Sequence, residues 1–150
     1  MPEINRILKE NAFHLVDFEI ANEEQDLSQA TDMILSINGD ATIAVRLRRP
    51  YYNYRDLTLR AWRSGGIATE LHKVQQGFAT YYLYGWTAHN YTVPEWILVD
   101  MNQLRDSGLL EAQTVIYNRD GRTGFIAIPY KTLCEYQCLL AGIVDGQHII

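Results

Sequence analysis

The chain has 150 residues, 47% of them hydrophobic, and a formal net charge of −5. That length fits a single domain able to bury a core without disulfide or metal staples. No apolar run reaches the roughly 18 residues of a membrane span, the N-terminus lacks the basic start and apolar core of a signal peptide, and the cysteines Cys134 and Cys138 match no metal-site spacing, so a cytoplasmic protein with ordinary reduced thiols is expected.

Taken in order, residues 2–11 read as a helix, with Ile4, Ile7 and Leu8 as a buried stripe and Glu3 and Glu10 beside it. Residues 13–20, FHLVDFEI, alternate as a first strand, and the acidic stretch 21–31 is a loop. Residues 32–49, DMILSINGDATIAVRLRR, form the stretch around which the rest is organised. Two runs rich in Ile, Leu, Val and Thr flank Asn38-Gly39, a dipeptide suited to the positive φ values of a tight turn, which predicts a β-hairpin. Alternation places Asp32, Ile34 and Ser36 on one face of the first strand. On the second strand Ile43, Val45 and Leu47 form one row, and Thr42, Ala44, Arg46 and Arg48 the other. A carboxylate thus opens one strand while two arginines project from its neighbour, and buried charge is costly unless paired or used.

Pro50 ends pairing, Tyr51 to Tyr54 form an aromatic loop, and residues 56–62 alternate as a further strand. Residues 67–78 predict a helix capped by Thr69 and closed at Gly77. Residues 81–86 and 96–99 read as strands, 101–105 as a short helix, 118–121 as a turn, 125–128 as a last short strand, and 133–143 as an apolar helical ending. The order of elements predicts one mixed α/β sheet domain.

Charge is unevenly distributed. Residues 1–45 hold nine acids and two bases, whereas residues 46–63 hold six arginines, Arg46, Arg48, Arg49, Arg55, Arg60 and Arg63, against Asp56 alone. Net acidity argues against a nucleic-acid partner, but a local basic field is what steers a polyanion. The alternative is a solvated strand edge guarded by charge.

A helix carrying a glutamate, an aspartate opening a hairpin and a second hairpin strand ending in basic residues resemble the PD-(D/E)XK, or restriction-endonuclease-like, nucleases. The stretches AVRLRR, LTLR, SGG, TELHK and YGW, together with the chain's length, look most like the homing endonucleases encoded by cyanobacterial group I introns. The resemblance covers about residues 3–100. It implies a restriction-endonuclease-like core, a mixed sheet flanked by helices; residues 106–150 have no counterpart in it and are expected to form an oligomerisation or DNA-contact extension.

In that family a helix glutamate, here Glu3 or Glu10, and the hairpin aspartate, here Asp32, help to bind Mg²⁺. A Glu-x-Lys pair supplies another ligand and the lysine, but those positions are Arg46 and Arg48 here, a departure that removes a ligand and adds a repelling charge. Glu70 and Lys73 in TELHK are candidates to complete the site from a neighbouring helix. The resemblance implies a Mg²⁺-dependent, site-specific double-strand DNA endonuclease. Carboxylate-held Mg²⁺ ionises water and stabilises charge on phosphorus, and an adjacent guanidinium assists. Arg48, Arg49, Arg55, Arg60, Arg63 and Tyr51 would contact DNA. Cutting both strands from one active site per chain implies a homo-oligomer, a dimer or tetramer, joined through residues 81–86 or the C-terminal segment 133–150.

Each residue also has an ordinary structural reading. Asp32 can pair with Arg46 or Arg48, Glu3 and Glu10 can be solvated helix charges, and Glu70 and Lys73 can be a surface pair. Two other functions compete with the nuclease: a non-catalytic DNA-binding module on a degenerate nuclease fold, and an interaction protein that docks through its acidic N-terminal third.

Overall fold

The computed structural model describes residues 3–4, 6–7, 18–20, 33–37, 41–90 and 92–150. Asp32, Glu10 and the Asn38-Gly39 turn lie outside the described residues. The architecture is mixed α/β with two sheets. The strands are β1 (Phe18–Ile20), β2 (Met33–Ile37), β3 (Ala41–Arg48), β4 (Asp56–Arg63), β5 (Tyr81–Trp86), β6 (Glu95–Asp100), β7 (Ile116–Tyr117), β8 (Thr123–Pro129), β9 (Leu139–Val144) and β10 (Gln147–His148). The helices are α1 (Glu70–Gln75), α2 (Met101–Asp106), α3 (Leu109–Ala112) and α4 (Tyr130–Glu135), and residues 3–4 and 6–7 are also helical.

Among the described residues, seven strands form the first sheet in the order β1-β2-β3-β5-β6-β9-β10, and β4-β8-β7 form the second. The expected hairpin is present: β2 and β3 pair antiparallel, with Met33 opposite Val45 and Ser36 opposite Thr42. β5 then lies parallel to β3, with Arg46 beside Tyr84 and Arg48 beside Trp86. Parallel neighbours need a long crossover, and here it runs out through β4 and back through α1.

Alternation along β3 and β5 separates two cores. Ile43, Val45 and Leu83 face Ile4 and Ile7 of the N-terminal helical residues, together with Trp96 and Leu98 of β6. Ala44, Tyr82, Tyr84 and Trp86 point the other way, into the larger cluster with Leu57, Leu59, Ile97, Val99, Ile126 and Ile128. Glu3 rides on the helical residues against the first of these faces and pairs with Arg6 at 2.7 Å near solvent. It therefore does not join the row that carries Arg46 and Arg48.

Local signals account for most boundaries. Thr69 caps α1, its hydroxyl accepting from the His72 amide at 3.3 Å. Gly77, at φ 102°, ends the same segment as expected of a left-handed closing residue. Arg105 on α2 then donates to the carbonyls of Val74, Phe78 and Ala79, all at 3.1 Å, which satisfies the end of α1 and the turn beyond it.

Two expectations need correction. Residues 133–143 are not one helix: α4 stops at Glu135, Gln137 takes φ 57°, and Cys138 donates to the Leu133 carbonyl at 2.9 Å to close the end. LLAGIV then forms β9 against β6. Its β-branched residues and its place in the sheet outweigh apolar continuity, which cannot by itself tell a buried helix from a strand. Both cysteines are free thiols, Cys134 on α4 and Cys138 in the turn between α4 and β9.

Residues 81–86 cannot form a subunit interface. β5 lies between β3 and β6, and Tyr82, Leu83 and Tyr84 are fully buried. A Cβ at Gly85 would lie 2.8 Å from Val93 Cγ1 and 2.9 Å from Leu47 Cδ2. Gly85→Ala is therefore expected to lower the unfolding free energy by about 1–3 kcal/mol through overpacking. A lower urea midpoint at unchanged m value is the readout, and an unchanged midpoint would refute the packing argument.

Candidate nucleic-acid interface

β3 delivers Arg46 and Arg48, two residues apart, to one face of the first sheet, where β4 and α1 cross it. Arg46 Nη2 lies 3.1 Å from Glu70 Oε1, with side-chain exposures of only 13% and 3%. The same oxygen accepts from the Tyr82 hydroxyl at 2.6 Å, while Oε2 accepts from the backbone N–H of Arg60 at 3.1 Å. Arg46 Nη1 also donates to the Thr58 carbonyl at 3.4 Å. One carboxylate thus ties α1 to β3, β5 and β4. Glu70 is a buried structural partner and not half of a surface pair. Lys73, three residues on, makes no side-chain hydrogen bond or ion pair with any described residue.

Arg48 is held differently, by neutral groups. Its Nε donates to the Tyr84 hydroxyl and its Nη2 to Thr58 Oγ1, and those two hydroxyls share a hydrogen bond at 2.7 Å. The guanidinium also lies over the Tyr52 ring, 4.5 Å from its centroid. Arginine's planar fork suits this combination of stacking and double donation better than a lysine ammonium does. Tyr52 donates to Asp56 Oδ1 at 3.1 Å. Burial holds the Asp56 carboxyl above its usual range, an effect that the Tyr52 hydrogen bond and the Arg48 charge oppose. Burial likewise raises the hydroxyls of Tyr52, Tyr82 and Tyr84, so all three stay protonated.

Arg46, Arg48, Tyr52, Thr58, Arg60 and Phe125 line a cleft of about 290 Å³. Arg60 on β4 and Phe125 on β8 are directly opposed in register. Asn118 and Gly124, from the β7–β8 hairpin, complete the rim. Just beyond Arg60 the β4–β8 ladder slips, and Trp62 turns outward to meet Tyr117 edge-on at 5.4 Å. Such bulges often redirect side chains beside functional sites.

The other proposed DNA contacts divide into two groups. Arg49 and Tyr51 are exposed together, with Nη1 donating to the Tyr51 hydroxyl at 3.1 Å. Arg63 lines a shallow depression of about 510 Å³ with Trp62, Gly65 and Gly66. Arg55, by contrast, is already engaged: it pairs with Glu95 at 2.7 Å, donates to the Tyr52 carbonyl at 3.0 Å, and lies over Trp86. Its position is explained by packing and pairing. Thr58, Tyr82 and Tyr84 were not read as site residues from the sequence, although each shares strand alternation with an arginine or a buried aromatic. Asn118, Gly124 and Phe125 had no local signal, because the β4–β8 pairing that brings them in spans more than 60 residues.

Mg²⁺ requires oxygen ligands near an octahedron, normally carboxylates. The described residues do not fit one at this strand. The described carboxylate at Arg46 is Glu70, both of whose oxygens already accept from protein donors. No group of three or more His, Cys, Asp or Glu suited to a metal occurs among the described residues. No protein-family model matches this sequence, and no curated protein matches it.

Two consequences are measurable. Glu70→Gln keeps the side chain's shape but removes the charge that faces Arg46 in their buried pair, which should cost about 3–5 kcal/mol of stability. The Arg46→Gln/Glu70→Gln double variant should recover part of that loss, and strict additivity would show that the pair is not coupled. Separately, Arg55 holds the Glu95 carboxyl below its ordinary value of 4.5. A depressed native pKa contributes stability that is fully present above the ordinary value and is lost as pH falls through the native one. Glu95→Gln should be less stable at pH 7 and lose less stability on acidification than the parent, and identical acid limbs would count against this assignment.

Proposed function

We propose that this protein binds duplex DNA through the face formed by β3, the loop that follows it and β4, as a DNA-binding module on a restriction-endonuclease-like fold. The observation that carries the reading is the cleft in which Arg46, Arg48 and Arg60 converge, with exposed Arg49 and Tyr51 and half-buried Arg63 on the same stretch of chain. Phosphate contacts supply most sequence-independent affinity, and arginine forks match phosphate oxygens bidentately. Aromatic side chains next to them suit sugar and base contacts. The acidic remainder of the chain lowers the net charge without cancelling this local field.

A second reading, Mg²⁺-dependent endonuclease, is favoured by a separate observation. β2 and β3 pair antiparallel as a hairpin, with Ile34 opposite Ala44, and Glu70 on the crossover helix reaches Arg46, where the family resemblance puts a carboxylate. In this reading Asp32 and Glu10 would be the metal carboxylates, and paired cuts would require a symmetric homo-oligomer.

Purified protein incubated with a pool of duplex DNA, in Mg²⁺ and in EDTA, separates the readings. The DNA-binding module predicts retarded, uncut DNA in both tubes and affinity that falls steeply with salt. Arg49→Ala and Arg63→Ala should each reduce the slope of log affinity against log salt by about one. Discrete Mg²⁺-dependent cuts that disappear in Asp32→Ala, with binding retained, would select the endonuclease. Failure to bind any duplex at low salt would overturn both.

A further inference from the structure

We infer that the arginine cleft is a pocket for one nucleotide, holding its phosphate on Arg48 and Arg60 and its base against Phe125 and Tyr52. The inference deepens the DNA reading and rests on it for the source of the ligand. Size is the first argument. A volume of about 290 Å³ lies at the lower end of small-ligand pockets, roughly 300–1,000 Å³, and is far too small to admit a duplex. What enters must be a single unit: a free nucleotide, or a nucleotide swung out of the helical stack.

Charge is the second argument. Three guanidinium groups line the cleft, and among the described residues Glu70 is bonded to Arg46 while the opposite charge of Asp56 interacts with Arg48 through space. Arg60 makes no side-chain hydrogen bond or ion pair with any described residue, although it is half-buried in the wall. A half-buried guanidinium with no acceptor among the described residues, beside a second arginine fixed by hydroxyls and a ring, is a fork suited to an anion.

Shape and chemistry of the walls supply the third. Phe125 sits opposite Arg60 across the β4–β8 ladder, so an apolar ring and a cation are held side by side by backbone register. At the rim, Asn118 Nδ2 is used on Thr123 Oγ1 at 2.8 Å, which leaves Oδ1 to accept from an exocyclic amine. An inorganic anion would use the arginines alone, whereas a nucleotide uses the aromatic and amide walls as well. Extruding a base costs a few kcal/mol of stacking and pairing, least where the pair is already mismatched, and pocket contacts offset it.

The test has two arms. In the first, dAMP, inorganic phosphate and deoxyadenosine are titrated into the full chain by calorimetry. dAMP should bind, and phosphate and deoxyadenosine should each bind at least about tenfold more weakly. Arg60→Ala and Arg60→Lys should both weaken dAMP about tenfold or more, the lysine because it lacks the fork, while Arg122→Ala, on the exposed turn, should not. Urea midpoints confirm that each variant is folded, and Phe125→Leu tests the base wall independently of charge.

In the second arm, single mismatches are scanned through a bound duplex. One position at which a mismatch tightens binding about tenfold, with the gain lost in Arg60→Ala, identifies an extruded base as the source. dAMP binding without any such position identifies a free nucleotide or chain end. If phosphate binds as tightly as dAMP, or if the duplex is retarded while dAMP does not bind and no mismatch matters, the pocket is refuted and the DNA reading stands. If the duplex is not retarded either, both fall.

Discussion

The buried Glu70 carboxylate joins α1, which carries it, to the neighbouring first-sheet strands β3 and β5 and to β4 of the second sheet, each of which donates a hydrogen bond to it. A buried charge is tolerated only when an opposite charge and further donors replace its hydration. Arg46, Tyr82 and the Arg60 amide meet that requirement, and in doing so set the distance between the parallel crossover and the hairpin strand. The cleft exists because β4 is held at that distance from β3. Arg60 contributes twice, its backbone satisfying Glu70 and its side chain forming the wall.

The second arginine shows how a cation can be positioned without a carboxylate. Arg48 rests on the hydroxyls of Tyr84 and Thr58 and on the ring of Tyr52, so its orientation is fixed while much of its charge remains available. Arg46 and Arg48 therefore differ in kind although they are two residues apart on one strand. The first is neutralised and structural, and the second is oriented and electrostatically open.

Much of the fold is legible in the residues. The hairpin followed from two β-branched runs around Asn38-Gly39, α1 from Thr69 and Gly77, and β5 and β6 from short aromatic and aliphatic runs. The ending was misread because apolar residues flank Glu135-Tyr136-Gln137 on both sides in LCEYQCLLAGI, and short apolar runs on either side of a polar step do not by themselves separate a helix from a buried strand. Of the site, the arginines on β3 were visible, because alternation puts Arg46 and Arg48 on one face wherever the strand lies. Arg55 was not distinguishable from its neighbours, since its partner Glu95 lies 40 residues away.

Local sequence by itself determined most of the strands and helices before residue 106, which face of β3 is cationic, and that positive charge gathers in residues 46–63. These are consequences of side-chain period, capping chemistry and composition, all of which act over a few residues. Only the tertiary structure decided that β4 leaves the first sheet to pair with β8, that Glu70 is spent on Arg46, and that Phe125 and Asn118 stand opposite the arginines. Those outcomes depend on long-range pairing and on the cost of burying charge. Both are settled by the whole chain's packing and leave no mark within a local stretch.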